Sequence, residues 1–310
     1  MFRQSNILVP TDFSTHANYA LKYAVALAMQ FKGTLHFAHV LDSAAIAGVR
    51  GNAMWLNSAD SETLVESMRE HAKSRMANLA ETAHSAGVES AEHIALGNPI
   101  HEILRIVEET DTTLLVISTH GRSGFEHIVF GSVAEKVVRQ SPVPVLVIKH
   151  PEHEFVKEFD LTIDIRRILF PTDFSPFSEK ALPFAVSLAR EFNATLVIFH
   201  ATEVPVVLPE FMPESAVQIG PQLEVEAQQL VAKMCEDIKE VKTEGHVRIG
   251  VAHKEICRLV DEAKIDLVVA PTHGRTGLTH ALFGSVAEKV VRLAKCPVLT
   301  IRPEWKGPAT

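Results

Sequence analysis

Along the first 150 residues, short apolar runs alternate with stretches in which apolar residues recur at helical spacing. Ile7-Leu8-Val9 is closed by Pro10, which marks a buried strand ending at a loop. Ser14 stands where a helix cap is needed, and Ala20, Leu21, Ala24, Leu27 and Ala28 then recur at intervals of three and four. That spacing predicts a helix with one face packed on a sheet. A second strand is expected over 34–40, a long charged helix over 62–86, and a third strand ending at Gly97. A helix led by Glu102 comes next, then a fourth apolar strand, Leu114 to Ile117. A last helix and a strand, Val145 to Ile148, close the series. Strands alternating with helices predict an α/β domain with a mostly parallel sheet.

The pattern then repeats. ILVPTDFS (Ile7 to Ser14) returns as ILFPTDFS (Ile168 to Ser175), and THGRSGFEHIVFGSVAEKVVR (Thr119 to Arg139) returns as THGRTGLTHALFGSVAEKVVR (Thr272 to Arg292). Pro10 recurs 161 residues on as Pro171, and Gly131 recurs 153 residues on as Gly284, so the copies are collinear. The helix after the first repeated strand opens on Ser175 and Pro176 and carries Ala181, Leu182, Ala185, Leu188 and Ala189. The other matching elements are a strand from Thr195 to Ala201, a helix from Gln222 to Lys242 and a strand ending at Gly250. A helix led by Glu255 and strands Leu267 to Ala270 and Val298 to Ile301 complete the second copy. The expected organisation is a domain over 1–150, a polar and acidic linker over 151–165, and a second domain over 166–310.

Bulk properties narrow the class. A chain of 310 residues suits two domains of about 150 each. A net charge of −8 argues against a broad nucleic-acid or anionic-membrane footprint. No apolar stretch approaches the roughly 20 residues of a membrane helix, and Pro10 and Asp12 end the first apolar run before it resembles a signal peptide. Three cysteines with no CxxC pair fit a reduced, cytoplasmic chain.

In a doubly wound sheet, ligands bind beyond the carboxyl ends of the strands, where the winding reverses. Pro10-Thr11-Asp12 ends strand one, and Ser118-Thr119-His120-Gly121 ends strand four. Gly131-Ser132 opens a helix whose free N–H groups and positive dipole end suit a phosphate. Asp12 suits a ribose or base donor, or a cation riding on phosphates. A plainer reading stands beside this one. Ser132-Val-Ala-Glu135 and Ser285-Val-Ala-Glu288 match a capping box, which starts a helix and needs no ligand. The joint spacing favours the site: Gly121, nine residues, Gly131-Ser132, repeated as Gly274, nine residues, Gly284-Ser285.

These residues resemble the universal stress protein family, in tandem form. Its fingerprint is Gly-x-x-Gly-x9-Gly-Ser/Thr after the fourth strand, with an Asp on the first. The resemblance implies two five-stranded parallel sheets of strand order 3-2-1-4-5. It also implies an ATP or ADP site, with Mg²⁺ on the phosphates. Carried over residue by residue, base and ribose would meet Pro10, Thr11, Asp12 and Val40, and phosphates Ser118, Gly121, Gly131, Ser132 and Val133. The second half offers Pro171, Thr172, Asp173 and Ala201, then Gly274, Gly284, Ser285 and Val286. Arg122 and Arg275, just after the loop glycines, are within sequence reach of a phosphate. One departure matters. The fingerprint's first glycine is Ser118 in the first half, which keeps an N–H, and Pro271 in the second, which has none.

No nucleophile–base arrangement, P-loop or GxGxxG is legible, so at most slow ATP hydrolysis is expected. His120, His273, His127 and His280 recur through duplication, and His36 and His39 point to opposite faces of one strand, so no metal site is assigned. Val204 to Pro213 is unusually apolar for a loop, open to lid, partner or packing roles. Three functions stay open. One is a nucleotide-binding stress regulator with conformational output and an unknown protein partner. Another is a nucleotide-independent interaction or scaffold protein of the same fold, and the third an ATP-using enzyme. The family's pairing through last strands implies that Val145–Ile148 and Val298–Ile301 join the halves into an intramolecular pseudo-dimer, with a homodimer left open.

Overall fold

A computed structural model of the chain describes residues 4–52, 58–119, 131–149, 154–157, 161–203, 219–272, 283–302 and 304–305. Contacts divide it into two units, one of residues 2–150 and 156–163, the other chiefly of residues 151–155 and 164–306.

The first unit runs β1 (Asn6–Pro10), α1 (Thr15–Phe31), β2 (Thr34–Asp42), α2 (Ser43–Asn52), α3 (Ser58–Ser85), β3 (Ser90–Gly97), α4 (Pro99–Glu109), β4 (Leu114–Ser118), α5 (Ser132–Gln140) and β5 (Val145–Ile148). All its strand pairs are parallel, in the order β3-β2-β1-β4-β5, with Ile7 opposite Leu35 on one side and Leu114 on the other. The second unit runs β6 (Arg167–Pro171), α6 (Pro176–Glu191), β7 (Thr195–Thr202), α7 (Ile219–Asp237), β8 (Thr243–Ile249), α8 (Ala252–Glu262), β9 (Leu267–Pro271), α9 (Ser285–Leu293) and β10 (Val298–Ile301). Its parallel order is β8-β7-β6-β9-β10. Each unit therefore has the expected 3-2-1-4-5 order.

The central strand of each sheet holds the core. Ile7 and Leu8 in β1, and Ile168, Leu169 and Phe170 in β6, have no exposed surface. A fully buried aliphatic or aromatic side chain contributes about 1.5–3 kcal/mol. Each helix buries one stripe: Ile103, Ile106 and Val107 in α4, and Ile256, Leu259 and Val260 in α8. In α1 the buried face is wider than the alanine–leucine spacing suggests. It takes in Tyr23 and Phe31, while Leu21 is only half-buried.

Two expectations about local structure are corrected. The helix expected to reach Lys242 ends at Asp237. Its chain turns back early because β8 must start at Thr243, whose hydroxyl donates to the Cys235 carbonyl at 3.3 Å. The linker is not purely polar. Phe155, Val156 and Ile165 are almost fully buried, and Val156 pairs antiparallel with Ile163. No disulfide joins the three cysteines. Among the described residues no helix is long and apolar enough to cross a membrane.

Candidate functional site

The winding of each sheet reverses at its central strand. From β1 the chain moves out to β2 and β3, then returns to β4 on the other side. The carboxyl ends of β1 and β4 therefore lie side by side where the winding reverses, the usual ligand position in such sheets. β6 and β9 repeat the arrangement.

The loop after β1 is held by four short interactions. Thr11 N–H extends the ladder to Ala38 O at 2.8 Å. Phe13 N–H donates to Thr11 Oγ1 at 2.9 Å, and Ser14 N–H donates to Asp12 Oδ1 at 2.9 Å. Ser14 in turn caps α1, its Oγ accepting from Ala17 N–H at 3.2 Å. This tight path drives Phe13 to φ +64°, the left-handed region that side chains other than glycine's rarely occupy. The second half copies it. Phe174 and Ser175 donate to Thr172 Oγ1 and Asp173 Oδ1, each at 3.0 Å, and Phe174 has φ +58°.

A buried histidine underlies each loop. His39 Nδ1 lies 2.8 Å from Thr11 O, and His200 Nδ1 lies 2.8 Å from Thr172 O. A carbonyl only accepts, so Nδ1 carries a proton and donates in each half. Each imidazole also lies against the phenylalanine of its loop, with centroids 4.4 Å apart in both halves. In the first half, Arg75 from α3 donates to Phe13 O at 3.1 Å and lies over the Phe13 ring at 4.5 Å. These contacts clamp the loop that presents Asp12. Val40 and Ala201 follow the histidines, half-buried at the ends of β2 and β7.

At the end of β4, beside β1, stands the start of α5. Its N-cap is Gly131, which makes no side-chain cap bond. Gly131 N–H donates to Thr119 O at 2.7 Å, and a Cβ there would lie 2.8 Å from the same oxygen, so only glycine fits. Gly284 N–H donates to Thr272 O at the same distance. The capping-box reading is thereby corrected. Ser132 and Ser285 occupy the first helical position, one residue too late to cap. Glu135 and Glu288 pair instead with Arg139 and Arg292, each at 3.0 Å. The N-cap glycines of α5 and α9 cap no N–H of the first turn, which lies at the positive end of the helix dipole.

Comparison with known proteins settles the family. The universal stress protein family model matches residues 4–149 and again 164–302. The chain belongs to the universal stress protein family. A universal stress protein of Synechocystis sp. is 25% identical over 313 residues, covering 96% of this chain and 99% of that one. One from Methanocaldococcus jannaschii is 30% identical over 148 residues, covering 48% of this chain and 84% of its own length. The crystal structure of a universal stress protein from Archaeoglobus fulgidus matches 97% of both chains at 22% identity with a TM-score of 0.69, which supports the fold.

Within this universal stress protein, Pro10, Thr11 and Asp12 lie at the end of β1, beside the strand that ends at Ser118. Gly131 is tied to Thr119, so Ser132 and Val133 stand at that same edge. Pro171, Thr172 and Asp173 have the same relation to Pro271, and Gly284, Ser285 and Val286 to Thr272. Gly121, Arg122, Gly274 and Arg275 lie outside the described residues, as do the repeated histidines 120, 127, 273 and 280 and the apolar stretch 204–213. Sequence reasoning missed His39, His200, Phe13, Phe174 and Arg75. A signal existed for the histidines, since His39 and His200 keep the same 161-residue offset as Pro10 and Pro171.

Proposed function

We propose that each half binds an adenine nucleotide, ATP or ADP, with Mg²⁺ on its phosphates, and that the output is conformational or regulatory. One observation carries this reading. At the reversal of the winding, a helix start with a glycine N-cap is tied to the end of the strand beside the one that leads to Asp12, and the arrangement occurs twice. Base and ribose fit the Pro10-Thr11-Asp12 loop and Val40. Phosphates fit Ser118, Gly131, Ser132 and Val133. The second half uses Pro171, Thr172, Asp173, Ala201, Gly284, Ser285 and Val286.

The first half binds more tightly. Thr119 N–H goes to Ile148 on the β5 side, and successive strand N–H groups point to opposite sides. Ser118, the residue before it, keeps a backbone N–H at the leading position of the fingerprint. Pro271 has no N–H to offer there. A hydrogen bond to a charged group is worth about 1.5–3 kcal/mol, or roughly ten- to a hundredfold in affinity.

Equilibrium titration with MgATP tests both points. Wild type should show a tight and a weaker site, and Pro271→Ser should tighten the weaker one about tenfold or more. Ser118→Pro should weaken the tight one by a similar factor. A nucleotide-independent scaffold is the second reading, favoured by the replacement of the fingerprint's leading glycine in both halves. No saturable binding by wild type or Pro271→Ser would establish it in place of the first.

A further inference from the structure

We propose that His36 and His93 form a two-imidazole site for a divalent transition-metal cation of the zinc, nickel or copper class. The residues lie 57 positions apart, on β2 and β3, and meet on one face of the sheet. His36 Nδ1 and His93 Nε2 are 3.1 Å apart, with ring centroids 5.3 Å apart. Two imidazole nitrogens bound at about 2.0–2.1 Å to one ion and separated by 3.1 Å subtend an angle of about 95–100° at it. That lies between octahedral and tetrahedral values; the rings now meet head-on in a hydrogen bond, and each must turn toward the ion to share it, with the nitrogens keeping their separation.

The chemistry of the pair suits such a cation. Burial holds both rings below the ordinary imidazole value, so both are neutral near pH 7. Without metal, the 3.1 Å separation is a hydrogen bond, with one proton between the two facing nitrogens. On binding, that ring moves its proton to the far nitrogen; each imidazole keeps one proton and the pair stays neutral. Imidazole selects zinc, copper and nickel, whereas magnesium prefers oxygen ligands. Among the described residues no group of three or more acidic, histidine or cysteine ligands forms, so water completes the shell. Both rings are half-buried and open to it. On α4, Arg105 and Glu109 influence His93 with opposite signs, the carboxylate favouring a cation and the guanidinium opposing it.

The second half supplies a natural control. In matching register, His246 stands opposite Phe199 as His93 stands opposite Ala38, but Val197 occupies the place of His36. The duplicated sheet thus carries valine there, and only the first half has the pair.

The test uses the full-length, nucleotide-free chain labelled with ¹⁵N-histidine, titrated with Zn²⁺ alone and then with Mg²⁺ alone. Because the chain holds 16 histidines, the ring signals are assigned and followed one by one. His36 Nδ1 and His93 Nε2 should shift together and first, saturating at one equivalent of Zn²⁺, with no response to Mg²⁺. His36→Val should lose this event, leaving His93 about tenfold or more weaker in its response. If the wild-type signals of His36 and His93 shift no earlier than those of other histidines, the proposal is wrong. The wild-type result decides even if the variant does not fold. Equal first-site affinity in wild type and a folded His36→Val would overturn it too.

Discussion

Gly131 and Gly48 make opposite demands on the same residue type. At Gly131 an added Cβ would meet the Thr119 carbonyl at 2.8 Å, and backbone cannot step aside as a flexible side chain can. Gly131→Ala should cost about 1–3 kcal/mol, the scale of overpacking in a filled site. At Gly48, an exposed position of α2, nothing lies within 4 Å of the added atom. Gly48→Ala should stabilise by about 0.5–1 kcal/mol, through helix propensity alone. Urea unfolding of the two variants should therefore move the midpoint in opposite directions. His39 acts at the same scale through one proton. His39→Phe keeps a ring beside Phe13 but leaves the Thr11 carbonyl without its donor, a loss of about 1–3 kcal/mol. His200→Phe should behave alike at Thr172, because the two distances are the same.

At the scale of elements, the β2–β3 ribbon makes the first half sensitive to acid. His36 and His93 both have pKa values lowered from 6.5, with burial as the larger cause and, for His36, the neighbouring imidazole as the second. The unfolded chain then binds more protons than the folded one as pH falls below about 6.5, so stability rises with pH in that window and is lost on acidification. Wild type should lose more of its urea midpoint between about pH 7.5 and pH 5.5 than His36→Val does. A variant with the same pH dependence as wild type would contradict this. His246 on β8 is also held low, chiefly by burial with Glu244 opposing, so the variant should retain part of the slope. Much of each element was legible in the chain. β5 and β10 match the expected apolar runs residue for residue, and Ser14 and Ser175 cap as anticipated. The helix starts at Gly131-Ser132 and Gly284-Ser285 were legible too, but not that the glycine, bonded to the preceding strand end, is the N-cap in place of the serine. The end of α7 was also missed, since 238–242 contains no glycine or proline to announce the stop.

For the whole molecule, duplication places two like candidate sites in one chain, and neither contains a legible catalytic base. Steady-state ATP hydrolysis is therefore expected below about 1 per second, the low end of typical enzyme turnover. A faster rate abolished by Asp12→Ala or Asp173→Ala would overturn that expectation and favour the enzyme reading. The halves have also diverged around their shared frame. Arg75 braces Phe13 in the first, while Lys233 is the only Lys or Arg that α7 carries in the second. Ser118 corresponds to Pro271, and His36 to Val197, at matching positions of the two copies. These differences all favour cation or anion chemistry in the first half, so removing Arg75 should reduce the affinity gap between the halves. Titration of Arg75→Leu with MgATP checks this: the tight site should weaken severalfold while the weaker site is unchanged.

The amino-acid sequence by itself determined the duplication, the alternation of strands and helices, the family, and the strand ends at which the winding reverses. Those features rest on short-range physics: the period of apolar positions, proline at strand ends, serine at caps, and glycine at a fixed spacing. Only the tertiary structure decided that Ser132 does not cap, that His39 donates to Thr11, and that His36 meets His93. Each depends on which strands become neighbours, and the order 3-2-1-4-5 brings together residues 28 and 57 positions apart whose local patterns carry no mark of the pairing.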